Sequence, residues 1–253
     1  MEISERSWQG YINALRKVND KASAEILNWL KNHGIPQGRE AMNGLIDFAY
    51  AVSTTYGEAA AELAAEMYEA TAALSGVIIE PAVPAATPEI GEVAKTVVGT
   101  AKLNNEEILS AAIGRLVKQT GVDTTMQNAL RDGVEWAWIP HGETCAFCIM
   151  LASNGWQRAS KKALKNGHAE HIHANCNCTY AVRYSPDVRV AGYDPDEYRR
   201  MYDQAEGNSS AAKINSMRRA FYAENREKIR EQQNDAYQKR IELNSSAAEE
   251  TDV

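Results

Sequence analysis

Five residues fall into two groups whose types suit a metal ion. Cys145 and Cys148 form C-x-x-C in "ETCAFC", and His173, Cys176 and Cys178 form H-x-x-C-x-C in "HIHANCNC". All four cysteines of the chain lie in this one region. A C-x-x-C turn brings two sulfurs close enough to share one ion. If the second group is extended, Cys176 and Cys178 point to the same side, because side chains alternate along a strand. Thiolates and an imidazole suit tetrahedral zinc in a structural site closed by four ligands. Five candidates compete for four places: Cys145, Cys148 and Cys178, with His173 or Cys176 as the fourth. His168 and His171 are further candidates. Two other readings use the same residues: thiols packed as small hydrophobes, or a disulfide formed outside a reducing cytoplasm.

Catalytic readings fare less well. "HAE" at 168–170 invites comparison with zinc deaminases, where H-x-E precedes P-C-x-x-C. Here the C-x-x-C comes first, no proline precedes Cys145, and "CNC" follows the HAE. A metal-dependent nuclease is a better rival, since "HIHAN" adjoins the basic "RASKKALKNGH". Yet no clear Asp/Glu pair stands ready to hold Mg²⁺. A Cys–His nucleophile pair is open to any chain with a few of each, so it weighs little. Phosphate-binding, dinucleotide-binding and nucleophile-elbow motifs are absent. A nucleic-acid-binding adaptor built on a zinc knuckle is the other alternative. The sequence leads us to expect no enzyme, no small-molecule substrate and no membrane contact.

The elements that must position these residues read as mostly helix. The chain has 253 residues, 44% of them hydrophobic, enough to bury a real core. No signal-peptide pattern opens it, and no apolar run nears the ~18 residues of a membrane span. Residues 1–144 hold 11 Lys/Arg against 19 Asp/Glu, 145–190 hold 6 against 2, and 211–243 hold 8 against 5. An acidic front and a mildly basic back leave room for a local polyanion contact only. Apolar residues from Trp8 to Leu30 recur at three- and four-residue steps, which predicts a helix over 4–33 ended by Gly34 and Pro36. Further helices are predicted over about 38–55, from Tyr56 to Gly76, and over "GEVAKTVVGTAKL". Asn104 or Asn105 caps the next, and Asp123 or Thr124 a short one after it. The proline-bearing stretch 76–91 reads as a connection.

The texture changes at Gly133. Val134, Trp136 and Trp138 would share one face of a strand, and 179–184 reads as a second strand. Asp194 would cap a helix with Pro195 in its first turn. A long polar helix follows, lying on the surface or awaiting a partner, and then a tail with the composition of disorder. The fold class is therefore α+β and predominantly α-helical: a helical bundle over 1–132, a small strand-containing Cys/His module over 133–190, and a helical tail over 191–253.

Three stretches together resemble a known family: "ALRDGVEWAWIPHGETCAFCIMLASNGW", "HIHANCNCTYAVRY" and "GYDPDEYRRMYDQA". They are similar to the minor capsid proteins of tailed bacteriophages, the Mu-F-like head morphogenesis proteins, in particular the VG15-type branch. Trp138, Cys145, Phe147, Cys148, Met150, Leu151, Ala152, Ser153, Gly155, His173, Cys176 and Cys178 occupy the positions of that pattern. Asn154 stands where an arginine is usual. Three histidines stand where one is usual, which leaves the histidine ligand open. The resemblance covers about 125–205 strongly. It implies a structural protein of the virion, present in few copies inside the phage head near the portal. Its implied partners are the portal or major capsid protein, with non-specific contact to packaged DNA. Its implied roles are in head assembly, DNA packaging or ejection.

Overall fold

The computed structural model of the chain describes residues 2–141, 144–160, 178–227, 230, 231 and 234. These form β1 (Glu2–Ile3), α1 (Glu5–His33), α2 (Arg39–Leu74), α3 (Ile90–Ala101), α4 (Glu106–Asp132), β2 (Glu135–Ile139), α5 (Ala146–Ala152), β3 (Gln157–Arg158), β4 (Thr179–Arg183), β5 (Arg189–Val190), α6 (Pro195–Gln204) and α7 (Ser210–Glu224). The predominantly helical α+β class expected from the sequence is what the chain adopts. The chain divides into a unit spanning Met1–Arg199 and a second spanning Arg200–Val253. The expected disordered tail, residues 244–253, lies outside the described residues.

In the first unit α1, α2 and α3 pack around α4. Ile26, Leu30, Leu45, Val93, Val97, Leu109, Ile113 and Leu116 fill their shared core. Local signals place most ends. Ser4 Oγ accepts the Ser7 amide at 3.2 Å at the start of α1. Asn105 Oδ1 accepts the Ile108 amide at 2.9 Å at the start of α4. Both replace hydrogen bonds that a helix start otherwise lacks.

Two predicted breaks do not occur. The first was expected between 55 and 56, inside "STTYG", where α2 runs straight through. Ser53 is buried and returns its hydroxyl to the Ala49 carbonyl at 2.7 Å, so the polar run costs little. The second was expected at Asp123 or Thr124, inside α4. Buried Thr120 and Thr124 donate to the carbonyls four residues back, at 3.2 and 2.9 Å. Helix-weakening residues are kept because tertiary packing needs their small size or their hydroxyls. Gly121 is the clearest case: a Cβ there would sit 3.1 Å from the Ala60 carbonyl oxygen of α2.

The connection between α2 and α3 is extended and fastened to one face of α4. Arg131 donates to the Glu80 and Pro81 carbonyls at 3.0 and 2.9 Å. Asn128 both accepts from the Val83 amide (2.9 Å) and donates to its carbonyl (2.8 Å). Thr124 accepts from the Ala85 amide at 2.9 Å. Spacings of four and three residues put all three side chains on one helix face.

The strands form two small sheets. β2 is central in an antiparallel β3-β2-β4 sheet, and β1 pairs in parallel with β5. That second pairing was not read from the sequence. It sets Ile3 opposite Val190 across the length of the unit.

In the second unit Ser209 caps α7, accepting the Ala212 amide at 3.2 Å. Lys213 donates to the Tyr202 carbonyl at 3.3 Å. Phe221 and Tyr222 are half exposed on α7.

The crossing at Gly121 and an open helical glycine should respond oppositely to added side chains. Gly121→Val is expected to destabilise the protein by about 1–3 kcal/mol through overpacking. Gly99→Ala, on α3 with open space at its Cβ, is expected to stabilise it by about 0.5–1 kcal/mol. Urea unfolding of the full chain checks both, and a neutral Gly121→Val would argue against the close crossing.

Candidate functional site

The site is built on the β2–β4 ribbon. Its register sets Trp136 opposite Val182 and Trp138 opposite Tyr180. The Tyr180 ring meets both tryptophans edge-on, with centroids 4.8 Å from Trp136 and 4.6 Å from Trp138. Such edge-to-face pairs suit the aromatic quadrupole. Cys178 precedes β4 and shares the face of Tyr180 and Val182. It is buried in one cluster with Cys148, Leu151, Trp136 and Trp138. Val134 lies in the same cluster, so Val134, Trp136 and Trp138 do share a face. Tyr68 of α2 and Met126 of α4 belong to that cluster as well. The opposite face is also covered: Ile139 and Ala181 pack with Ile3, Trp8, Val188 and Val190.

The C-x-x-C lies across the start of α5. Cys145 is exposed and caps the helix, its Sγ accepting the Cys148 amide at 3.4 Å. Cys148 is buried, and the two sulfurs are 3.3 Å apart. A tetrahedral zinc with Zn–S bonds of about 2.3 Å spreads two sulfurs to about 3.8 Å. The pair would need to open by roughly half an ångström to hold one, a movement within reach of side-chain torsions. The N–H contact to Cys145 is one that a metal-bound thiolate also accepts. Of the residues expected at a metal, the structure thus places Cys145 beside Cys148, and Cys178 in the same buried cluster as Cys148. His168, His171, His173 and Cys176 lie outside the described residues. Among the described residues no three His, Cys, Asp or Glu side chains converge as a metal group.

One polar residue was missed from the sequence. The His141 ring lies tilted against that of Trp8, with centroids 5.7 Å apart. With Cys178, Thr179 and α1 residues Gln9, Asn13 and Arg16 it lines a cleft of about 360 Å³. Its place four residues before Cys145 was a visible signal.

A part-buried frame fixes the far end of α5. The Tyr193 hydroxyl donates to the Ala152 carbonyl at 3.0 Å, and Arg199 to the Ser153 carbonyl at 2.7 Å. Both carbonyls belong to the last turn, where a helix leaves acceptors to partners outside its own ladder, and the Ala152 carbonyl also takes the Gly155 amide at 3.1 Å. Gly155 then turns the chain in the left-handed region (φ +64°), with Pro195 3.4 Å from where a Cβ would stand. Trp156 follows, with the Arg183 guanidinium 4.7 Å above its ring. Arg183 also bonds Glu135 across the ribbon at 2.7 Å. "LASNGW" and "GYDPDEY" are thus two sides of one turn. Asn154 is exposed, so the departure there leaves this frame untouched.

A second polar group ties the ribbon's cluster to the helices. Tyr68 donates to Asp132 at 2.8 Å, and Arg131 clasps Asp132 at 2.7 and 2.8 Å. The Arg131 hydrogen bonds, helped by Tyr68, hold the Asp132 carboxyl below its ordinary range against the opposing effect of burial. Burial raises Tyr68 strongly and pushes Tyr184 up to about 12. Tyr198 is raised by burial and by its neighbours Glu197 and Cys178.

No helix among the described residues is long and apolar enough to cross a membrane. Residues 2–205 match the sequence model of a family described as VG15 protein. No curated protein and no solved structure matches the chain.

Because the folded carboxyl of Asp132 is more acidic than an unfolded aspartate near pH 3.9, its stabilising contribution is complete above that pH. It is lost as pH falls through the lower folded value. Asp132→Asn is expected to cost about 1 kcal/mol or more at pH 7, and the gap to the native chain should close below about pH 4. Urea unfolding across pH 2.5–7 measures this, and a gap that stays constant with pH would contradict the assignment.

Proposed function

The chain belongs to the VG15 family, a family of bacteriophage proteins, and on that premise we propose that it is a structural minor protein of a tailed-phage head, of the Mu-F-like kind. It works in few copies near the portal and assists head assembly, DNA packaging or ejection without catalysing a reaction. The observation that carries this reading is the extent of the family match. Residues 2–205 take in the helical core, the ribbon and the α5 frame together. The match follows the whole scaffold of the first unit rather than a cluster of reactive side chains.

The surface suits docking. Ile78 is 99% exposed and Val83 largely so, on a connection that Arg131, Asn128 and Thr124 hold in place. A backbone already held in place leaves less ordering to be lost when such side chains bind. The partner would be the portal or major capsid protein. The net positive stretches at 145–190 and 211–243 would meet packaged DNA without sequence preference.

Zinc is part of this proposal. Cys145, Cys148 and Cys178, with His173 or Cys176, would hold it, and its contribution would be structural: a cross-link for a ribbon with a small core of its own. About one zinc per chain is expected by elemental analysis of protein purified without added metal, and less than about half an equivalent would count against it.

The head-protein reading is tested on particles. Quantitative mass spectrometry of purified virions should find the chain at a small fraction of the major capsid protein and cross-linked to the portal. Its absence from particles would overturn the reading. So would plasmid cleavage in Mg²⁺ or Mn²⁺ that His173→Ala abolishes, which would point to a nuclease.

A further inference from the structure

Cys145 and Cys148 differ in a way that a passive pair of ligands does not require. Cys145 is exposed and Cys148 is 1% exposed, yet their sulfurs stand 3.3 Å apart. Positions three apart at a helix start bring side chains onto one side. A disulfide needs its sulfurs at about 2.05 Å, so closure asks for roughly 1.3 Å of approach. The backbone around them is anchored: the Cys148 amide points at Cys145 Sγ, and the last turn of α5 is held by Tyr193 and Arg199. An accessible thiol with a buried thiol in contact behind it is the arrangement that thiol–disulfide exchange uses.

We propose that Cys145 and Cys148 are an exchange-competent dithiol, Cys145 the attacking sulfur and Cys148 the resolving one, which closes to a disulfide on meeting a small-molecule disulfide such as oxidised glutathione. The Cys145 thiol loses its proton to water and attacks one sulfur of glutathione disulfide. A Cys145–glutathione bond forms and one glutathione thiolate leaves. Cys148 then loses its proton and attacks Cys145 Sγ, forming the Cys145–Cys148 bond and expelling the second glutathione. Two protein thiols are oxidised, and one glutathione disulfide is reduced to two thiols. In the metal-free chain the staple would stay open in a reducing cytoplasm and close outside it. This chemistry is independent of the head-protein reading. It shares two sulfurs with the zinc reading, since bound metal would block it.

The sequence makes the test clean. Trypsin releases Cys145 and Cys148 on one peptide, Asp132–Arg158, and Cys176 and Cys178 on another, Asn166–Arg183. The full chain is stripped with a strong chelator, treated with excess oxidised glutathione and mapped without reduction. Asp132–Arg158 should lose two hydrogens and resist alkylation, unlinked to Asn166–Arg183. In Cys148→Ser, Cys145 should be trapped as the glutathione mixed disulfide, whereas Cys148 in Cys145→Ser should stay a thiol. Cross-linking of the two peptides, a glutathione adduct that never resolves in the native chain, or both thiols surviving would each overturn the proposal. The native-chain map decides even if a variant fails to fold.

Discussion

A ribbon of two five-residue strands, β2 against β4, cannot hold itself together in water. Two of the first unit's three buried clusters form on its two faces. Tyr68 and Met126 join one face from α2 and α4, and α5 packs there with Cys148 and Leu151. Trp8, Ile3, Val188 and Val190 cover the other. Burial on both faces explains why β2 and β4 carry Trp, Ile, Val and Tyr with almost no polar alternation. The one charged pair, Glu135 with Arg183, sits directly opposed at the ribbon's end, where solvent reaches it. The β1–β5 pairing follows from the same need, since it holds Ile3 over the covered face.

The polar groups around the ribbon work as fasteners. Arg131 holds the α2–α3 connection through two carbonyls and holds Asp132, which takes the Tyr68 hydroxyl. Arg199 and Tyr193 fill acceptors left by the last turn of α5. These bonds lie at part-buried or exposed groups, where a typical hydrogen bond contributes about 0.5–1.5 kcal/mol. The sulfur region is therefore framed rather than loose, and any ion or disulfide it forms adds to a scaffold already held at α5 and at β4.

Much of this was legible locally. Asn105, one of the two caps expected for α4, is the one used, and Asp194 takes the Asp196 amide at 2.9 Å at the start of α6, as its place before Pro195 suggested. The strand at Val134, Trp136 and Trp138 was readable from β-prone residues at every second position, and the 179–184 strand from a short β-prone run. The breaks wrongly expected in α2 and α4 have one cause. Ser53, Thr120, Gly121 and Thr124 weaken a helix when read alone. Here all four are buried, Thr120 and Gly121 against α2 and Thr124 under the α2–α3 connection, where small size and internal hydroxyl bonds are rewarded. Propensity is a local quantity, and these positions are decided by contacts about 60 residues away.

By itself, the sequence determined the helical character, the caps and the two strands of the ribbon, because each is written in neighbours a few residues apart. Only the tertiary structure decided which faces those elements bury. It set Tyr68 in the ribbon's cluster, fastened the proline-bearing connection to α4, brought His141 and Cys178 to one cleft, and made Cys145 the exposed sulfur and Cys148 the buried one. Exposure is a property of what lies on top of a residue, and that comes from segments far along the chain.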